Sequence, residues 1–119
     1  MAKDAAIVIS WGGGVAGREG KGIEVFMDAL TFWGKKAADG MCEPPEAFLA
    51  QDGSGGMLII KGKSDSLREI SESDDGLLLQ DKAQLIVQDL KSHWYFTGDE
   101  TVQAETARYA QAGNELGYM

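Results

Sequence analysis

The sequence has one cysteine, one histidine and one asparagine in 119 residues. The lone Cys42 can form no internal disulfide, which fits a reducing compartment. A cysteine nucleophile would need a base beside it, and nothing in the sequence places His93 there, so an inert, small apolar side chain is the plainer reading. No apolar run approaches the 18 residues of a membrane-crossing helix. Positive charge is also scarce: 11 Lys and Arg stand against 19 Asp and Glu, a net charge of −8. A surface this acidic repels phosphate backbones, so nucleic acid is not expected as a partner. The start, Met1-Ala2-Lys3-Asp4, leads straight into Ala5-Ala6-Ile7-Val8-Ile9 with no signal-peptide pattern. A cytoplasmic protein is therefore expected. The 44% hydrophobic and 25% charged residues are those of an ordinary globular chain, which excludes a disordered tail or a fibrous repeat. The length suits a single domain.

Hydrophobic patterning gives the elements. Ala5 to Trp11, bounded by Gly12-Gly13-Gly14, reads as a buried strand. From Arg18 to about Asp39, Ile23, Phe26, Met27, Leu30, Trp33 and Ala37 follow helical spacing, with Gly40 as the stop. Pro44-Pro45 leads into a second strand over 46–51. Asp52 to Gly56 reads as a turn and Met57 to Lys63 as a third strand. Ser64 opens a helix carrying Leu67 and Ile70, which Ser73 to Gly76 interrupt. Leu85-Ile86-Val87 begins a fourth strand running to Phe96, and Thr101 to Gly113 forms a tail helix. The order β-α-β-β-α-β is the ferredoxin-like arrangement, an α+β fold with a four-stranded antiparallel sheet and helices on one face. The domain core is expected over about residues 5–97, with a helical tail over 99–119.

Strand side chains alternate between faces. Ile7 and Ile9 oppose Ala6 and Val8, and Met57 and Ile59 oppose Leu58 and Ile60. The sheet is thus apolar on both faces, but its two helices cover only one. The second face needs the tail, a second copy of the chain, or both. A homodimer with facing sheets is expected.

Several constellations bear on chemistry. Gly12 to Gly17 fits G-x-G-x-x-G between a strand and a helix, but no parallel strand follows, so a flexible connection is the simpler reading. Arg18 and Lys21 at the helix start suit an anion. His93 is the default candidate for proton transfer, sharing a strand face with Tyr95 while Trp94 and Phe96 take the other. Trp11, Phe26, Phe32, Trp33 and Phe48 are candidates to line an aromatic cavity. Glu69, Glu72, Asp74 and Asp75 lack the spacing of a metal loop. No metal or other cofactor is expected.

The element order, the doubly apolar sheet and the size resemble the dimeric α+β barrel superfamily over about residues 5–97. Trp11, the glycine run, Gly17-Arg18-Glu19 and Val25-Phe26 resemble bacterial members without a known activity. The superfamily includes cofactor-free monooxygenases of small aromatic compounds, haem-degrading enzymes, muconolactone-type isomerases and proteins of no known activity. What the resemblance implies is a homodimer with a small apolar or aromatic ligand between sheet and helices. From the residues themselves, His93 is the candidate acid or base, and Trp11, Arg18, Phe26, Trp33 and Tyr95 are the candidate ligand contacts. Haem degradation in this superfamily uses a His with an Asn and a Trp, and the sole Asn114 falls in the tail. A non-catalytic dimeric binding or interaction module is the alternative.

Overall fold

The computed structural model describes residues 2–119. Eight elements follow one another: β1 (Asp4–Trp11), α1 (Glu19–Ala38), β2 (Glu46–Leu49), β3 (Gly56–Lys63), α2 (Ser64–Ser71), α3 (Asp74–Ile86), β4 (Lys91–Phe96) and α4 (Asp99–Glu115). The four strands form one antiparallel sheet in the order β2-β3-β1-β4. This is the expected ferredoxin-like α+β arrangement. β1 and β3 are the central strands because they carry the longest apolar runs. β2 and β4 are the exposed edges.

Register decides which side chains share a face. Ile7 stands opposite Ile60 on one side and Trp94 on the other, and Ile9 stands between Leu58 and Ser92. This inner face packs under α1 and α2, where Ala5, Ile7, Trp33, Leu58, Ile60, Leu67 and Ile70 form the core. The outer face carries Val8, Phe48, Met57, Ile59, His93 and Tyr95, by the same register.

One expectation is corrected. Leu85 and Ile86 do not begin the fourth strand but end α3, and β4 starts only at Lys91. Ser73 caps α3, its hydroxyl accepting the Gly76 N–H at 3.1 Å, with Asp74 and Asp75 in the first turn. Once started there, the helix continues because Leu79, Ala83 and Ile86 recur at its spacing and face the sheet. Their apolar side chains also satisfy a strand reading, which is why β-branching misleads at Ile86-Val87. The corner between α2 and α3 needs Gly76: a Cβ there would lie 2.3 Å from the Ile70 carbonyl oxygen. No helix among the described residues is long and apolar enough to cross a membrane.

Candidate functional site

Between the inner sheet face and the helices α1 and α3 lies a cavity of about 730 Å³. That is within the usual range for small-molecule sites. Its sheet side is Ile7, Ile9, Leu58, Ser92 and Trp94, and its α1 side is led by Phe26 and Trp33. α3 supplies Leu79, Ala83 and Ile86. Trp11, the last residue of β1, meets Phe26 edge to face at 5.9 Å. Phe32 and Trp33 make a second such contact at 5.4 Å. Each such pair adds about 0.5–1.5 kcal/mol to the packing of its rings.

Polar groups in the lining are few: Glu19, Ser71, Gln80, Gln84 and Ser92. Glu19 is the one ionisable side chain among them. The Gly17 N–H donates to both its oxygens, at 2.8 and 3.0 Å, and holds the carboxyl below its ordinary value. Glu19 is therefore a carboxylate at neutral pH and a weak base. The site can enclose an apolar ring system and offer it a few hydrogen bonds. It has little built-in capacity for proton transfer.

The glycine run does not cradle a phosphate. Gly12 N–H donates to the Gln88 carbonyl at 2.7 Å and Val15 N–H to the Ile86 carbonyl at 3.0 Å, while Gln88 N–H donates back to Gly13 at 2.8 Å. These bonds stitch the β1–α1 loop to the α3–β4 connection beside the cavity. Nor is the start of α1 an open anion site. The Arg18 guanidinium donates to the Leu85 carbonyl at 2.6 Å, where the end of α3 has no basic residue of its own. Lys21 pairs with Glu24 at 3.0 Å.

Of the ligand residues expected from sequence, Trp11, Phe26 and Trp33 meet at the cavity, as does Phe32. Arg18 stands outside the lining, turned to Leu85. His93 and Tyr95 are corrected in position. Strand alternation puts both on the outer face, flanking Val8 and Ala6, so neither reaches the cavity. Phe48 is on that outer face as well. Cys42 is also away from the cavity, its thiol directed at the Trp33 carbonyl at 3.9 Å and pushed up by burial. No group of three or more potential metal ligands occurs among the described residues. Sequence reasoning missed the α3 wall and Trp94. The 79-83-86 spacing was the available signal for the wall, and the Ile7–Trp94 register for the tryptophan.

No protein-family model and no curated protein matches the chain. Solved structures do. SnoaB, a cofactor-independent oxygenase from Streptomyces nogalater, superposes with a TM-score of 0.65 at 12% identity, covering 82% of this chain and 96% of its own. Rv0793 from Mycobacterium tuberculosis gives 0.67 at 13% identity, covering 82% and 97%. A dimeric protein of ferredoxin-like fold from Bacteroides fragilis gives 0.58 at 6% identity, covering 79% and 96%. The chain shares the ferredoxin-like fold of these structures. At such identities the likeness is one of fold. In this chain the cavity occupies the space between the sheet and its helices, and Phe48, Met57 and Tyr95 are exposed on the outer sheet face.

Proposed function

We propose that the protein is a homodimer, paired through its outer sheet faces, in which each subunit holds a small aromatic, largely apolar ligand. The observation that carries the ligand reading is the cavity of about 730 Å³ walled by Trp11, Phe26, Trp33 and Trp94 with few polar groups. Burying a ring system there stabilises the complex through apolar area removed from water, and Ser92, Gln80 and Gln84 are placed to orient one polar substituent. The outer face supports the dimer: Val8, Ile59, Met57 and Phe48 lie together there, with Met57 38% and Phe48 49% exposed.

The reaction best supported is cofactor-independent oxygenation of an electron-rich aromatic compound, by likeness in fold to SnoaB. Isomerisation is the related possibility within the same superfamily. A second reading, ligand binding without catalysis, is favoured by the lining itself, whose one ionisable group is a carboxylate held below its ordinary value. Oxygen uptake measured with a panel of hydroxylated naphthalenes, beside tryptophan quenching by the same compounds, separates these. Saturable quenching with oxygen consumption above the protein-free rate supports the oxygenase. Quenching without consumption supports the binding module. No quenching by any compound overturns the ligand reading.

A further inference from the structure

The C-terminal helix α4 is 17 residues long and buries none of them. Its main contact with the body is β4. The molecule is accordingly long, 54 × 33 × 25 Å, with a radius of gyration of 16.8 Å. A compact domain of this length has about 13.5 Å.

Val102, Glu105, Tyr109, Ala112 and Leu116 recur at alternating spacings of three and four, which sets them on one helix face. Glu105 anchors that face to the body through an ion pair with Lys3, beside β1. Further along, the same stripe has nothing opposite it: Tyr109 is 74% and Leu116 is 72% exposed. From Glu105 to Leu116 the helix extends about 16 Å at 1.5 Å per residue. The apolar stripe thus begins on this subunit and continues past its edge. A helix with an uncovered apolar face draws most of its stability from packing that this chain alone does not supply.

We infer that α4 is a strap whose outer half lies along the rim of the outer sheet face of a second copy of this chain. That face is the large apolar surface left open, presenting Phe48, Met57 and Ile59 with Lys61, Lys63 and Lys91 among them. In the outer half of α4, Arg108 pairs with Glu105, which leaves Glu115 as the acidic side chain there to meet a lysine of that face. Lys61 and Lys63 are shared with Glu46 and Asp4, but Lys91 has no ion-pair partner among the described residues. The strap also continues a contact already made within the chain, at Glu105 and Lys3. The inference rests on the sheet-face dimer and adds what holds its rim.

The test uses the full chain with the double change Tyr109→Glu and Leu116→Glu. Sedimentation analysis is expected to show the dimer dissociation constant raised about 100-fold, with unchanged far-ultraviolet dichroism. In parallel, a Cys42→Ser, Leu116→Cys chain is mixed with its ¹⁵N-labelled copy and treated with a cysteine-to-lysine cross-linker. Intermolecular links from position 116 to Lys61 or Lys91 support the strap. A wild-type dimer unchanged by the double substitution, or links only within one chain, overturns the strap and leaves the sheet-face dimer standing. A wild-type monomer overturns both.

Discussion

The guanidinium of Arg68 on α2 lies over the ring of Trp94 on β4, 4.9 Å from its centroid. Trp94 also lines the cavity. A charged side chain thus rests on a wall of an apolar site. Such a contact is worth about 0.5–1 kcal/mol when exposed, enough to bias a ring's orientation and too little to hold a fold. In protein carrying 5-fluorotryptophan, Arg68→Ala is expected to shift and broaden the Trp94 resonance while those of Trp11 and Trp33 stay in place. Global stability should change by less than about 1 kcal/mol. An unmoved Trp94 resonance would show that the stacking has no hold on the wall.

The α3 wall depends on its first turn. Ser73→Ala removes the hydroxyl that accepts the Gly76 N–H and should cost about 1 kcal/mol in urea unfolding. Gly76→Ala should cost more. Its Cβ would meet the Ile70 carbonyl oxygen, which belongs to the backbone and cannot swing aside. Equal costs for the two would contradict the close approach at that corner.

Trp33 belongs to the core and to the cavity, with 5% of its surface exposed. Trp33→Ala should lower stability by about 3–5 kcal/mol. His93→Ala, on an exposed edge strand across the sheet, should leave ligand binding unchanged. Ligand affinity lost in His93→Ala with the dimer intact would contradict the assignment of the site to the inner face.

The root of α4 should respond to acid. The hydrogen bond from Lys3 to Glu105 is the largest influence holding that carboxyl below its ordinary 4.5. A carboxylate depressed in the folded state adds stability that is fully present above 4.5 and is lost as pH falls through the depressed value. Wild type should therefore be more stable than Glu105→Gln at pH 7, and the difference should vanish as the solution is acidified well below 4.5. A difference independent of pH would contradict the ion pair.

Much of this was legible in the residues. The apolar runs at Ala5 to Trp11 and Met57 to Lys63 mark central strands because they are apolar at successive positions, and the helical spacing through Trp33 marks α1. The aromatic wall followed from Trp11, Phe26 and Trp33. Less legible was the segment after Gly76, where Leu85-Ile86-Val87 satisfies a strand as well as a helix end, and the decision falls to the Ser73 cap and to packing across the cavity. His93 and Tyr95 showed the limit of alternation. It pairs them on one face, but which face is inner depends on register with Val8, and a local pattern carries no register.

The most direct test of the cavity as the ligand site is a fluorescence titration with a neutral apolar dye, N-phenyl-1-naphthylamine. It would be run on wild type and on Ala83→Phe, which places a ring in the cavity from the α3 side. Saturable binding of one dye per subunit is expected in wild type, with affinity at least about tenfold weaker in Ala83→Phe, a loss of about 1.4 kcal/mol or more. Saturable binding that Ala83→Phe leaves untouched would place the ligand elsewhere and contradict the account.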